Sequence, residues 1–151
     1  MNTIATIIIV VFVIGLVIFL FAPRKEIVEK GFFHDLPNKF NVLLNSKPKI
    51  STIIVAISGT EDFIQFSHDG GKVEMDYPVI TPRQKELSSK FREICSQSGY
   101  KVREIKGSDG AMFLDISVPS DPEGLVVISK RILTNLFDAK DDTKLKFTFS
   151  A

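Results

Sequence analysis

The side chains with the most versatile chemistry are few in this chain. It has two histidines, His34 and His68, and a single cysteine, Cys95. A metal site needs several His, Cys or carboxylate side chains close together, and these three lie in different segments. His68 and the adjacent Asp69 come nearest to a metal-binding pair. Because two glycines follow them, they are more typical of a hairpin turn, and we expect no metal.

Motifs for nucleophiles and cofactors are also missing from the sequence. No G-x-S-x-G elbow surrounds any serine, and the stretches GTED, GSDG and HDGG fit neither a phosphate-binding loop nor a dinucleotide-binding pattern. Cys95 falls on the apolar side of a predicted helix, without a basic neighbour to activate its thiol, and we expect it to be packed. The sequence therefore predicts no enzyme activity, no catalytic residue and no cofactor.

The N-terminal segment predicts a membrane anchor. Residues 4–22 are nearly all Ile, Val, Leu and Phe, and no charged side chain precedes Arg24. At a rise of about 1.5 Å per residue this segment reaches about 28 Å, close to the roughly 30 Å hydrocarbon core of a bilayer. A cleaved signal peptide is the alternative, but it needs a basic N-terminus and a small-residue cleavage site. We expect residues 1–23 to be a retained transmembrane helix in contact with membrane lipid.

Basic residues on one side of this helix predict its orientation. Arg24 and Lys25 flank its C-terminal end, Lys30 and Lys39 follow, and none precedes it. Lys and Arg near a span bias that side toward the cytoplasm. We expect a single-pass protein of the inner (cytoplasmic) membrane with its C-terminal domain in the cytoplasm. The lone cysteine, which cannot form an internal disulfide, is consistent with a reducing compartment.

The rest of the chain has the size of one domain and almost balanced charge. It carries all 19 Lys and Arg residues and all 18 Asp and Glu residues. No clustered basic face is visible, so we expect no nucleic-acid partner. Residues 24–34 predict a charged juxtamembrane segment whose first part, 24–31, continues the helix for a turn or two. Residues 35–151 predict a soluble α+β domain.

Apolar periodicity and turn residues predict the elements of this domain. Residues 35–48 predict a short amphipathic helix, and the β-branched run at 50–59 predicts a buried strand. Residues 63–79 alternate apolar and charged side chains around HDGG, which is typical of a hairpin. Thr81 and Gln84 predict a capping box at the start of the next helix, which Gly99 ends.

The second half predicts another hairpin and another helix. The hairpin covers 100–119, and Asp121 with Pro122 predicts the start of a helix that extends to residue 137. Residues 144–150 alternate Phe or Leu with Lys or Thr, which predicts a last short strand. The resulting order α-βββ-α-ββ-α, with this final strand, favours an antiparallel sheet of five or slightly more strands with helices on one face.

The middle of the chain resembles a known family. The strand-turn-strand FIQFSHDGGKVEMD, the capped helix TPRQKELSSKFREICSQSGY and the late hairpin and helix AMFLDISVPSDPEGLVVISKRILTNLF are similar to those of the type III secretion chaperone-like (TY-Chap) domain family. The resemblance covers residues 35–137, and the N-terminal anchor is an addition to it. It implies the α+β fold and non-enzymatic protein binding, frequently as a dimer, and it supplies no catalytic residues.

Two functions are compatible with these features. The resemblance implies a membrane-anchored, chaperone-like module that binds a protein partner. The alternative is a membrane-anchored immunity protein that neutralises a toxin delivered by a competing bacterium, which would also suit a small domain on a single anchor. The two functions differ in the partner that the domain binds.

Two predicted elements carry the candidate partner surface. The tail strand, in which Phe147 and Phe149 follow the alternating Lys144 and Lys146, is expected at a sheet edge, where it could pair with another chain. The predicted helix at 125–137 has more apolar residues than one stripe needs, namely Val126, Val127 and Phe137. The alternative is that these residues complete the core. If they are exposed, we expect a homodimer or capture of another protein.

Overall fold

One antiparallel sheet dominates residues 26–47 and 49–151, which are the residues that the computed structural model of the protein describes. Its strands in chain order are β1 (Ile27–Gly31), β2 (Thr52–Ile57), β3 (Phe63–Asp69), β4 (Lys72–Pro78), β5 (Arg103–Lys106), β6 (Met112–Val118) and β7 (Leu145–Ser150). In space the seven strands follow the order β1-β7-β2-β3-β4-β6-β5, with every neighbouring pair antiparallel. Of these seven, β3 is the middle strand, and β1 and β5 are the edges.

Three helices pack on one face of this sheet. They are α1 (Leu36–Asn45), α2 (Pro82–Gln97) and α3 (Pro122–Phe137), and a 3-10 turn at Phe33–Asp35 precedes α1. Phe40 of α1 meets Phe66 of β3 edge-on, with 4.9 Å between ring centroids. Phe91 of α2 stacks on Tyr77 of β4 at 4.8 Å. α3 contacts both other helices and brings Phe137 to 6.3 Å from the Tyr77 ring.

Alternate residues of each strand point toward these helices, as the two-residue period of a strand requires. On this helix face the sheet contributes a fully or almost fully buried apolar layer, consisting of Ile53, Val55, Ile64, Phe66, Val73, Met75, Tyr77, Leu114, Ile116, Leu145, Phe147 and Phe149. Burial of one such side chain contributes roughly 1.5–3 kcal/mol. The helix face is therefore the main source of the fold's stability.

Local turn and capping chemistry is confirmed where the sequence predicts it, as is the α+β class. Gly70 and Gly71 join β3 to β4 with φ values of 55° and 78°, and two successive positive φ values are typical of a type I′ turn. At α2, Thr81 Oγ1 accepts a hydrogen bond from the Gln84 N–H, and Gln84 Oε1 accepts one from the Thr81 N–H. This reciprocal pair is the predicted capping box.

The strand β1 corrects the prediction that residues 24–31 continue an N-terminal helix. Ile27–Gly31 is instead an edge strand that pairs with β7 along its whole length. Charged side chains suit an edge strand because it stays accessible to water, and Glu29 pairs with Lys39 of α1. The folded domain therefore begins before residue 35, and the observed order is β-α-βββ-α-ββ-α-β.

The tail strand is confirmed, but the prediction that it is an edge is wrong. β7 lies between β1 and β2, with Phe147 opposite Glu29 on one side and opposite Val55 on the other. The backbone of β7 is therefore paired on both sides. This position depends on a contact between the two ends of the domain, which no local sequence pattern indicates.

The predicted transmembrane anchor, residues 1–23, lies outside the described residues, as do its flanking residues Arg24 and Lys25. Within the described part of the chain, no helix combines the length and the apolar character needed to cross a bilayer. The anchor stays a prediction from the sequence.

Candidate functional site

The sheet face that points away from the three helices, here called the open face, is lined by the other half of the strand residues. One row of directly opposed residues, the central row, crosses all seven strands: Val28, Thr148, Ile54, Gln65, Asp76, Asp115 and Arg103. It changes from apolar side chains near β1 and β2 to charged side chains on β4, β6 and β5. Its two apolar members, Val28 and Ile54, lie outside the core of the helix face.

An apolar row lies beside the central row. It consists of Ala56, Phe63, Pro78, Phe113 and Ile105. Ile105, on the edge strand β5, is 42% exposed. At the opposite end the row continues into two lysines, because Lys146 lies opposite Ala56 on β2 and opposite Lys30 on β1. The open face therefore has a cationic end, an apolar middle and, on β4 and β6, an acidic end.

Two carboxyl groups face each other at the acidic end. Asp76 of β4 is directly opposite Asp115 of β6, and Asp115 is fully buried. The guanidinium of Arg103 bonds Asp115 Oδ2, with a distance of 2.7 Å from Nε, and also donates to Glu74 Oε1 at 2.9 Å. The other oxygen of Asp115, Oδ1, is buried and has no hydrogen-bond partner. Most buried carboxylate oxygens are paired, so this arrangement is incomplete while Asp76 is ionised.

The acidic end holds more negative charge than its one guanidinium neutralises. Burial raises the pKa of Asp76 to about 7, with further increases from Asp115 and Glu74 and an opposing effect from Arg103. In its protonated form Asp76 is able to donate a hydrogen bond to Asp115. Because two opposed carboxyl groups titrate as a pair, the charge of this cluster changes close to neutral pH.

The chemistry of the acidic end suits a cationic group. Carboxylates are acceptors of hydrogen bonds from ammonium and guanidinium groups, and Glu74, Asp76 and Asp115 present three of them beside a single arginine. Among residues 26–47 and 49–151, no group of three or more His, Cys, Asp or Glu side chains is arranged to hold a metal ion. A lysine or arginine side chain is a ligand class that fits these carboxylates.

A shallow depression of about 510 Å³ lies at the cationic end of the open face. It is lined by Ile54 and Phe63 from the sheet, by Lys146 from β7, and by the acidic residues Glu26 and Glu61. Ile80, in the loop before α2, also borders it and is 51% exposed. The depression is therefore a partly apolar surface with one lysine and two glutamates beside it.

A second buried carboxylate shows what complete pairing looks like in this fold. Asp62, which is 6% exposed, accepts hydrogen bonds from Arg83 Nε at 2.7 Å and Arg83 Nη2 at 2.9 Å. The neighbouring Tyr77 donates to the Gln84 carbonyl at 3.0 Å, and burial followed by the charge of Asp62 raises its pKa to about 12. This pair joins the β2–β3 loop to α2, which is a structural role. Asp115 differs because one of its oxygens remains unpaired.

The residues of the candidate partner surface predicted from the sequence do not lie together. Phe137, Phe147 and Phe149 are 7%, 0% and 2% exposed and belong to the core of the helix face. Val126 is half-buried against the same core, whereas Val127 is 58% exposed on α3. The three phenylalanines therefore occupy the positions of the core alternative, and Val127 alone presents a broadly accessible side chain.

The residues with versatile chemistry also lie apart. Cys95 is buried in α2, where burial raises the pKa of its thiol to about 12. A thiol of this kind is not a nucleophile at neutral pH. His68 lies opposite Val73 on the helix side of the sheet, while Asp69 is exposed at the hairpin turn and His34 is exposed before α1. The structure does not bring them into one site.

The opposed carboxyl groups are the feature that the sequence interpretation missed. The alternation in β4 correctly predicts that Glu74 and Asp76 share one face of a strand. It does not predict that β6 pairs with β4 and brings Asp115 opposite Asp76. One signal was present in β6 itself, because Asp115 interrupts the apolar run MFLDISV.

The chain matches no protein-family model, no curated protein and no solved structure. The resemblance to the TY-Chap family stays a prediction. The geometry and charge of the open face are the features that point to a function.

Proposed function

We propose that the protein is a membrane-anchored, non-enzymatic protein-interaction module of the chaperone-like kind. In this proposal, residues 1–23 hold it in the inner membrane, and the α+β domain binds a protein partner in the cytoplasm. The observation that carries the proposal is the open face of the sheet. It presents apolar side chains next to a carboxyl pair whose hydrogen bonding is incomplete when Asp76 is ionised.

The contrast between the two sheet faces supports this role. The helix face is completed by the domain's own helices, with its apolar residues buried and its ring pairs formed. The open face keeps Val28 at 56% and Ile105 at 42% exposure on its two edge strands, with Ile54, Phe63 and Phe113 half-buried between them. Apolar side chains accessible beside polar groups are typical of protein-binding sites. A partner that covered the open face would remove this apolar surface from water.

The immunity-protein alternative shares the non-enzymatic binding role and differs in the partner. No observation within residues 26–47 and 49–151 points to a toxin, so the general interaction role is the function that we propose. A cleft that bound a small substrate would be the main competitor, and the open face is broad and shallow.

Site-specific photo-cross-linking of the full chain in living cells tests the proposal. Benzoylphenylalanine would replace Gln65 or Thr148 on the open face, and Val127 or Glu86 on the helix side as matched controls. We expect protein adducts from the open-face positions and few from the controls. Adducts that appear mainly from Val127 would move the binding surface to α3. The absence of adducts at all four positions would contradict the interaction role.

A further inference from the structure

The open face has opposite charges on the two sides of its middle strand. Lys146 on β7 and Lys30 on β1 lie on one side of β3, and the Asp76–Asp115 pair on β4 and β6 lies on the other. Three strands stand on each side of β3. β7 and β6 are each the second strand from β3, so Lys146 and Asp115 lie on strands that a central twofold axis exchanges, and opposite charges on exchanged strands favour a twofold, isologous interface.

A twofold axis parallel to β3 gives a defined pairing of strands. It places β3 over β3 of the second copy, β2 over β4, and β7 over β6. Lys146 of one copy then lies over β6 of the other, level with Phe113 and two residues, about 7 Å, along the strand from Asp115, an offset that a lysine side chain can span. Two sheets packed face to face lie about 10 Å apart, a gap that the side chains of both faces fill.

The same axis is compatible with two anchored chains. A rotation about an axis parallel to the strands leaves the direction of each strand unchanged, so both copies of β1 begin at the same end of the dimer. Residue 26 of each copy therefore lies at that end, and the two predicted anchors would enter one membrane. An axis perpendicular to the strands would place these ends on opposite sides.

We infer that the open face of the sheet binds the open face of a second copy of this chain, with Lys146 of each copy against the Asp76–Asp115 pair of the other. The inference rests on the proposed interaction role of the same face. Phe63, near the axis, meets its own symmetry mate, and the half-buried Ile54 is removed from water. The lysine supplies the positive charge that the acidic end lacks.

Two other surfaces are less suited to a second copy. Antiparallel pairing of two β1 edges would centre on Glu29 and set two like charges opposite each other, which is destabilising. On α3, the exposed Val127 is followed by the exposed basic residues Lys130 and Arg131. If two α3 helices packed against each other, these positive charges would face each other and repel. The open face is the surface on which charges of opposite sign would meet.

The test uses the purified full chain in detergent micelles, where no other protein is present. Gln65→Cys places a thiol on the middle strand, and a short bis-maleimide links it to its symmetry mate if the faces meet. The native Cys95 is buried, and the unmodified chain measures its background. Val127→Cys is the matched control. We expect a covalent dimer with Gln65→Cys and at most background with Val127→Cys.

Charge exchange then tests the predicted ion pair. In the Gln65→Cys chain, Lys146→Glu should weaken the dimer by at least about tenfold in dissociation constant, because it opposes like charges across the interface. The additional change Asp76→Lys restores an opposite pair and should recover cross-linking. If Asp76→Lys unfolds the domain by circular dichroism, the change in cross-linking caused by Lys146→Glu alone tests the ion pair.

These outcomes test the open-face dimer independently of the proposed interaction role. No cross-link at Gln65→Cys, equal cross-linking at Val127→Cys, or indifference to Lys146→Glu would overturn the open-face dimer. If adducts with a different protein nevertheless form at Gln65 in cells, the interaction role stands and its partner is not a second copy. If neither experiment gives an open-face contact, both proposals fail.

Discussion

The two faces of the sheet use the same seven strands for different purposes. On the helix face, alternate residues such as Phe66 and Tyr77 are fully buried and their rings contact α1 and α2. On the open face, their sequence neighbours Gln65 and Asp76 form part of a row that changes from apolar to acidic. A shift of one residue along a strand thus separates a position that stabilises the fold from one available for binding.

This difference indicates where an incomplete interaction can persist. An unpaired carboxylate oxygen in the apolar layer of the helix face would destabilise the domain in two ways, because it would disturb the packing of the core and would lack a hydrogen bond in a dry environment. At the edge of the open face, Arg103 covers Asp115 while Asp76 keeps a proton near neutral pH. The domain therefore tolerates two opposed carboxyl groups at this position. Substitutions on the two faces should consequently separate stability from association.

The largest expected effect is on the helix face. Phe66→Ala removes a fully buried ring that contacts Phe40 and should lower the free energy of unfolding by about 3–5 kcal/mol. Phe63→Ala, on the partly exposed side of the same strand, should cost less than about 1.5 kcal/mol while weakening the open-face cross-link. Urea denaturation followed by far-UV circular dichroism measures both. Equal losses of stability would contradict the division between the faces.

An intermediate effect is expected from the carboxyl pair. Asp76 has a raised pKa, so between its ordinary value of 3.8 and about 7 the folded chain holds a proton that the unfolded chain has released. Stability should fall as the pH rises through this window and level off above it. Asp76→Asn resembles the protonated form and should flatten this dependence.

At pH 8 the same variant should be more stable than the native chain by about 1–2 kcal/mol, a value reduced for the partial exposure of the site. The groups that face Asp76 are Asp115 on β6, Glu74 on its own strand and Arg103 on β5, and Gln65 on β3 is uncharged. Denaturation at several pH values provides the measurement. Asp141→Asn, at an exposed position, is the control. An identical pH profile for both variants would contradict the assignment of the pH dependence to Asp76.

The smallest effect is expected on the outer side of α3. Val127→Glu changes a residue that is 58% exposed, and surface changes of this kind usually alter stability by less than about 0.5 kcal/mol. It should also leave the open-face cross-link unchanged. Loss of the folded signal in circular dichroism would show that Val127 belongs to the core. Loss of the cross-link in a folded variant would indicate that the partner surface lies on α3.

The elements that the sequence predicts well are those set by local chemistry. Gly70 and Gly71 determine the first hairpin turn, Thr81 and Gln84 determine the start of α2, and Asp121 caps α3 through the Gly124 N–H. These signals act within a few residues. They therefore identify strands and helices without specifying how the strands are ordered in the sheet.

The features that sequence interpretation missed depend on contacts between distant segments. β1 is a strand because β7 offers it a partner, and its five residues with two charges do not have a strong strand pattern alone. The same pairing removes β7 from the edge. The candidate site depends on β4 and β6 as neighbours, since Asp76 and Asp115 are far apart in the chain. Strand order, rather than strand identity, is the missing information.

The central claim, that the open face is covered by a partner while the helix side is free, is tested most directly by thiol reactivity in native membranes. The rate of N-ethylmaleimide labelling would be measured for Gln65→Cys and Val127→Cys in the full chain, each relative to the same variant carrying Lys146→Glu. We predict slow labelling at position 65 that accelerates when Lys146→Glu opens the interface, and fast labelling at position 127 in both backgrounds. Equally fast labelling at the two positions, with no response to Lys146→Glu, would contradict the account.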